Sequence, residues 1–363
     1  MSHAPLTNRP ESDDDVAAQA VARHTPVLLR RCLDLLAPAI EEAPAEPVMI
    51  DCTLGMGGHT EGVLRRFPRL RVIGIDRDSQ AIALASARLA PFGDRFTAVR
   101  ATYDEVEAVA HRFSQDGEGT VDAVLMDLGV SSLQLDDVER GFSYARPAPL
   151  DMRMDQSQGM TAQELLDGAE PGELVRILRA YGEERFAPRI VEAIVRRRSA
   201  GHPVSSTQEL AELVRQAVPA ATRRTGGHPA KRTFQALRIA VNAELDVLER
   251  AVPRALNSLR VGGRLVVESY QSLEDRIVKQ AIAAGTRASV PDDLPFVPEG
   301  AGAYLQALTH GAERADEAEL AANPRSAPVR LRAAVRLRPA DQAPAAEPKP
   351  LTTTRRRQGR KTR

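Results

Sequence analysis

The chain of 363 residues has room for one globular domain and an insertion, and its formal net charge is zero. Hydrophobic residues make up 43% of it, but aromatic residues only 4%, so aliphatic side chains must form the core. Two cysteines are too few for a disulfide framework, and no apolar run approaches the roughly 20 residues of a membrane helix. The acidic N-terminus does not resemble a signal peptide. We therefore expect a cytoplasmic protein without a membrane partner.

The predicted elements begin after a polar N-terminal segment. Residues 1–20 and 339–363 are poor in apolar side chains and predict disorder. Between them, five short apolar segments are typical of buried strands: residues 48–50, 71–75, 96–100, 121–126 and 264–270. The first, second and fourth run directly into Asp51, Asp76 and Asp127. Continuous apolar strands alternating with helical patterns predict an α/β fold whose parallel sheet is covered on both faces.

The interval between the fourth and fifth strands is too long for one crossover and predicts an inserted helical domain. Apolar residues recur at helical spacing over 186–194, and Ser206 with Glu209 is typical of a capping box. A stripe over 234–248 predicts a helix that returns to the sheet and breaks near Pro253. A helix over 273–284 and a half-exposed strand over 329–335 follow. We place the insertion at 137–232 and the sheet domain at 21–136 and 233–338.

Basic residues are concentrated in the middle of the chain and at its end. Residues 185–238 hold eleven bases against three acids, and the last fifteen residues hold seven bases and no acid. For any single arginine, a solvated helix face is the better explanation. The excess as a whole predicts a polyanionic partner.

A glycine-rich turn from Asp51 to Thr60 follows the first strand. Glycines allow a sharp turn and a close approach of backbone to ligand, although a glycine cluster alone is as often an ordinary turn. Asp76 ends the second strand nineteen residues after Gly57, where a carboxylate can accept both hydroxyls of a ribose. The combination predicts a nucleotide-like cofactor.

The sequence of the turn favours a sulfonium cofactor over a dinucleotide. Thr60 replaces the last glycine of the dinucleotide pattern, and Glu61 suits a pyrophosphate poorly. Asp51 and Asp127 suit a cationic sulfonium with an amino-acid tail. The spacing alone leaves a nicotinamide-dependent dehydrogenase open as an alternative.

Several longer motifs indicate the protein family. In chain order they are residues 24–29 (HTPVLL), 55–59 (GMGGH), 74–78 (GIDRD), 127–136 (DLGVSSLQLD), 140–143 (RGFS), 149–155 (PLDMRMD), 181–186 (YGEERF), 228–236 (HPAKRTFQA) and 272–276 (SLEDR). By these motifs, from about residue 24 to 335, the chain resembles the RsmH/MraW family, which methylates the exocyclic N4 amine of a decoding-centre cytidine in bacterial small-subunit ribosomal RNA.

The resemblance implies a class I, Rossmann-like methyltransferase sheet and S-adenosylmethionine as cofactor. It implies these cofactor contacts: Gly57, Gly58, His59, Asp76, Tyr103, Asp127 and Gln134. It also implies a target within the 30S particle. The chain departs from the family at Gln271, where a histidine is usual. We expect that position to contact substrate or to serve the structure.

Methylation of a weakly nucleophilic amine needs acceptors that orient its N–H groups. We expect Asp127 mainly to hold the cofactor, and Ser131 and Ser132 to orient the amine; alternatively, both serines only cap a helix. The substrate candidates are Lys231, Arg232, Arg238, Asn242 and Gln271. No metal is expected, because the histidines and cysteines are not at ligand spacing. The sequence says nothing about oligomeric state, and Gln271 leaves a non-catalytic subunit-assembly factor as an alternative.

Overall fold

A computed structural model describes residues 26–219, 228–288 and 302–339, apart from the side chain of Ser132. The predictions of disorder for 1–20 and for almost all of 339–363 fall outside these ranges, as do Arg223 and Arg224. None of the helices in the described ranges combines the length and apolar character that crossing a membrane requires.

The apolar segments form strands, and the segments at helical spacing form helices. The strands are β1 (Val48–Asp51), β2 (Arg71–Asp76), β3 (Phe96–Arg100), β4 (Val121–Asp127), β5 (Leu259–Ser269), β6 (Leu305–Ala307) and β7 (Arg330–Arg336). The helices are α1 (Leu29–Glu41), α2 (Gly58–Arg66), α3 (Ser79–Leu89), α4 (Val106–Phe113), α5 (Ser132–Asp136), α6 (Ala162–Gly168), α7 (Pro171–Gly182), α8 (Ala187–Ser199), α9 (Thr207–Ala217), α10 (Lys231–Asn242), α11 (Glu244–Asn257), α12 (Ser272–Gly285) and α13 (Glu317–Ala322).

The strands form one sheet in the order β3-β2-β1-β4-β5-β7-β6. β1 to β5 pair in parallel, whereas β7 pairs antiparallel with both β5 and β6. The strand order therefore reverses between β1 and β4, which opens a crevice at their carboxyl ends. This is the Rossmann-like class I sheet that the sequence predicted.

Separate hydrophobic cores cover the two faces of the sheet and fill the helical segment. The third core consists of residues between Leu150 and Leu237, mainly from α6 to α10. Phe234 and Leu237 of α10 belong to that core, whereas Ile239 of the same helix belongs to a core of the sheet. Thus α10 packs into both parts of the molecule, and the boundary at 232/233 stays a prediction.

The expected helix break near Pro253 is wrong. Pro253 lies inside α11, and the chain breaks ten residues earlier at Ala243, whose φ is 50°. An interior proline costs about 3 kcal/mol. Burial of the flanking Leu248, Val252 and Leu256 offsets that cost, since each buried aliphatic side chain contributes roughly 1.5–3 kcal/mol.

Two strands also differ from the sequence prediction. β5 begins at Leu259 rather than Arg264, and its register with β4 shifts between Val121 and Ala123. The shift lies beside Gly262, whose φ is +82°, so the interrupting glycines form a bulge inside the strand. β6 was not predicted, and it makes β7 an interior strand.

Candidate functional site

The glycine turn connects β1 to α2 and needs glycine for packing as well as for conformation. Gly57 is the residue before α2 and has a φ of 76°. A Cβ on Gly57 would lie 2.9 Å from Leu89 Cδ1, and one on Gly58 would lie 2.7 Å from Pro26 Cγ. A side chain at either position would collide with these neighbours, so the close packing of the turn requires glycine.

Asp76 at the end of β2 lies directly against this turn. Its carboxylate accepts hydrogen bonds from the backbone N–H of Gly55 at 2.8 Å and of Asp78 at 2.9 Å. Burial raises the pKa of Asp76 to about 6, although both amide hydrogen bonds act in the opposite direction. The side chain remains partly exposed, and its carboxylate oxygens can accept further hydrogen bonds.

Asp127 ends β4 on the other side of the crevice. Its Oδ1 accepts a hydrogen bond of 2.8 Å from the Tyr270 hydroxyl, and its backbone N–H donates to Thr53 Oγ1 of the glycine turn at 2.6 Å. The carboxylate of Asp51 is buried at the start of the same turn and accepts from the hydroxyl of Thr60 at 2.7 Å. The turn, Asp76 and Asp127 therefore share one edge of the sheet.

His59 and Tyr103 are both held by hydrogen bonds to backbone carbonyl oxygens of other segments. His59 is 6% exposed, with Nε2 2.9 Å from the Val27 carbonyl oxygen and Nδ1 3.6 Å from Oδ2 of Asp127. Tyr103 follows β3, and its hydroxyl donates to the carbonyl oxygen of Glu244 at 3.2 Å. Burial raises the pKa of the Tyr103 hydroxyl far above its usual range, so it keeps its proton.

Ser131 caps helix α5, which agrees with the plainer of its two interpretations. Its hydroxyl accepts from the N–H of Gln134 at 3.2 Å, and the Gln134 side-chain oxygen accepts from the N–H of Ser131 at 3.1 Å. Gln134 is 5% exposed and also donates to Asp78 at 3.3 Å. The capping box leaves the Ser131 hydroxyl proton available for another bond.

A buried arginine, not singled out from the sequence, joins this region to the loop before α6. Arg140 donates to the carboxylate of Asp78 at 2.8 Å and to the carbonyl oxygen of Met154 at 2.8 Å. It is 2% exposed. The N–H of Met154 in turn donates to Asn242 Oδ1 at 2.7 Å.

The substrate candidates fall into two groups. Lys231 and Arg232 are exposed at the start of α10, and Arg232 donates to the carbonyl oxygen of Glu183 at 3.0 Å. Arg238 instead forms a two-bond ion pair with Glu244, at 2.8 and 2.9 Å, and its side chain is 15% exposed. Asn242 is 2% exposed. Thus Lys231 and Arg232 are exposed, Arg238 is largely buried and Asn242 is buried.

Gln271 precedes α12 and interacts with Glu274 of its first turn. Its side-chain N–H donates to Glu274 at 2.9 Å, whereas its Oε1 is buried and has no hydrogen-bond partner among the described residues. Glu274 also accepts from the N–H groups of Tyr270 and Gln271. Burial raises the pKa of Glu274 to about 7, against the opposing charge of Arg238.

The sequence analysis missed a buried polar cluster beside Asp127. Cys32 of α1, His59 of α2 and Glu268 of β5 present side-chain atoms within 4.8 Å of one another. These atoms do not form an open metal site, because the nitrogen facing Glu268 at 3.4 Å also lies 2.9 Å from a carbonyl oxygen and donates to it. The three residues are far apart in sequence, so no spacing could indicate the cluster.

Comparison with known proteins identifies the family. Residues 21–337 match the family described as the MraW methylase family. Two curated relatives bear the name ribosomal RNA small subunit methyltransferase H. The one from Beutenbergia cavernae is 63% identical over 321 residues, 88% of this chain and 95% of that protein. The one from Streptomyces avermitilis is 57% identical over 317 residues, 87% and 98% of the two chains. The chain therefore belongs to the MraW methylase family and is an S-adenosylmethionine-dependent methyltransferase.

Proposed function

We propose that this methyltransferase acts on the exocyclic N4 amine of a decoding-centre cytidine in small-subunit ribosomal RNA, within the 30S particle in the cytoplasm. The observation that carries the proposal is the family match over residues 21–337, together with relatives of nearly the same length that are named for the small-subunit RNA. The choice of cytidine N4 comes from the family resemblance.

The residues at the crevice fit S-adenosylmethionine. Asp76 and Asp127 lie at strand ends on either side of the strand-order reversal, and both are partly exposed. A carboxylate at the end of β2 suits ribose hydroxyls, and one at the end of β4 suits the cationic part of the ligand. Gly57, Gly58, His59, Tyr103 and Gln134 stay proposed contacts. The cofactor supplies a methyl group on a cationic sulfur.

The protein's task in the reaction is alignment. With the cofactor bound, transfer of its methyl group to the N4 lone pair would leave the amine positively charged until one N4 proton passes to solvent. Acceptors at the amine strengthen the nucleophile and take the developing charge. We assign this to Asp127 and to the segment that Ser131 caps, with Ser132 as a further candidate. Ser131 contributes by capping α5, which fixes the backbone between β4 and α5.

On the RNA side, the proposal relies on the basic side chains that remain exposed. Arg189 and Arg196 lie two turns apart on one face of α8, and Lys231 and Arg232 begin α10. Arg198, by contrast, donates to three carbonyl oxygens at the end of α6, so it serves the fold. The other three substrate candidates support the structure of the site rather than contact RNA: Arg238, Asn242 and Gln271. A single-stranded or flipped cytidine is the form that such a site can reach.

The test is transfer of labelled methyl groups from S-adenosylmethionine to 30S particles extracted from cells that lack the protein. We expect one methyl group per particle on a decoding-centre cytidine, located by mass spectrometry of nuclease fragments. Particles that already carry the modification are the control. Label on another nucleotide would contradict the proposed target, and S-adenosylmethionine binding without transfer to any particle would favour an assembly factor.

A further inference from the structure

Glu268 is a fully buried carboxyl group next to the proposed cofactor edge. It lies on β5 directly opposite Asp127 of β4 in the parallel register, and it is 0% exposed. Neither of its side-chain oxygens accepts a hydrogen bond from a nitrogen or oxygen donor among the described residues. A buried ionised carboxylate without donors costs several kcal/mol, so this group needs either a proton or a counter-ion.

The surroundings of Glu268 favour the proton. Asp127 faces it from β4 and Glu319 from α13, and both add negative charge. The Cys32 thiol faces it from α1, and burial raises the pKa of that thiol well above its usual range, so it remains neutral. His59 of α2 is the one cationic candidate that the described residues bring into contact, and it also faces Asp127. One imidazole cannot balance both carboxylates.

We propose that Glu268 is a positioning residue that stays a carboxylic acid and donates a hydrogen bond to the carboxylate of Asp127. This inference rests on the proposed role of Asp127. The Tyr270 hydroxyl occupies Oδ1 of Asp127 from one side, and Glu268 restrains the same carboxylate from the neighbouring strand. A hydrogen bond from an acid to a carboxylate is among the stronger ones in proteins. Asp127 is thereby held with its exposed part toward the crevice.

The arrangement has a consequence for pH dependence. Burial and the charge of Asp127 raise the pKa of Glu268 well above its usual range. The donor is therefore present below that elevated pKa and is lost as the pH rises through it, when a second negative charge appears beside Asp127. The neighbouring Tyr270 and Cys32 also titrate in alkali, but burial raises the pKa of both groups further. A variant that cannot ionise at position 268 therefore distinguishes the effect of Glu268 on binding from the effects of Tyr270 and Cys32.

The test compares Glu268→Gln with Glu268→Leu in the full-length protein. Glutamine keeps a donor and the shape but cannot ionise, whereas leucine removes the donor. Binding of S-adenosylmethionine is measured by calorimetry from pH 6 to 10 without RNA, and thermal unfolding checks that each variant folds. We expect Glu268→Leu to weaken binding roughly 10- to 100-fold, the loss typical of a hydrogen bond to a charged group. Glu268→Gln should bind with an affinity close to that of the parent and without the decline that the parent shows as the pH rises through the pKa of Glu268.

Three results would overturn the inference: a folded Glu268→Leu protein that binds as tightly as the parent, a Glu268→Gln protein as impaired as Glu268→Leu, or a stoichiometric metal ion that both variants lose. Because the assay contains no RNA, these outcomes are independent of the RNA target. If the cofactor binds as expected but no particle is methylated, the proposed function fails while the inference about Glu268 is still decided.

Discussion

Asn242 provides the sharpest test of the distinction between substrate contact and structural support. Its amide N–H groups donate to the carbonyl oxygens of Met152 at 2.7 Å and Arg238 at 2.9 Å, and its oxygen accepts from the N–H of Met154 at 2.7 Å. Met152 is buried and has a φ of 61°, a left-handed conformation that is costly for a side chain of this kind. The amide thus holds a strained loop against α10.

Asn242→Ala should lower the free energy of unfolding by about 2–6 kcal/mol. The change leaves one donor and one acceptor of the loop without a partner, at roughly 1–3 kcal/mol each. Urea unfolding followed by circular dichroism measures this loss. Asn257→Ala, at the exposed end of α11, is the matched control and should change stability by less than about 0.5 kcal/mol. A loss below about 1 kcal/mol, together with weaker RNA binding, would refute the structural interpretation and restore Asn242 as a substrate contact.

The remaining predictions concern the cofactor, the cap and the RNA. Because the pKa of Asp76 is about 6, the affinity of the parent for S-adenosylmethionine should fall as the pH drops below 6 and the carboxylate is protonated. In Asp76→Asn the affinity should be low and independent of pH over this range. A parent affinity that is constant from pH 5 to 8 would contradict this prediction. Ser131→Ala should cost about 1 kcal/mol in thermal unfolding through loss of the α5 cap, and an unchanged melting temperature would argue against that cap. Replacing Lys231 and Arg232 together by alanine should reduce the slope of log affinity for 30S particles against log salt by about 1.4, at about 0.7 per phosphate contact in single-stranded RNA. The same pair of substitutions should leave cofactor affinity unchanged, and an unaltered salt slope would remove both residues from the RNA interface.

The sheet and its cofactor edge were predictable because their signals are local. Each early strand is a short apolar segment that ends in an acidic residue, and parallel strands bring such ends to one edge. Asp51, Asp76 and Asp127 could therefore be placed together without knowledge of the tertiary structure. The glycine turn could be recognised because it joins a strand to a helix.

The parts that were not predictable depend on which segments pack together. Arg238 and Asn242 look like accessible polar residues on a helical stripe, but α10 turns them toward Glu244 and the loop before α6. The sequence shows Glu268 only as a polar residue in a largely apolar strand, and its position opposite Asp127 follows from the register with β4. Pro253 was misleading because the local rule against interior proline is outweighed by the apolar face of α11.

The pairing of β5 with β4 has a consequence for synthesis of the chain. Asp127 ends β4, and β5 begins only at Leu259. At about 5–20 residues per second, a ribosome needs roughly 7 to 26 s to make the intervening segment. During that time β4 has an open, apolar edge of the kind that pairs with foreign strands. The third hydrophobic core, whose residues lie between Leu150 and Leu237, lies entirely within this intervening segment. The segment whose synthesis delays the arrival of β5 can therefore fold before β5 is made.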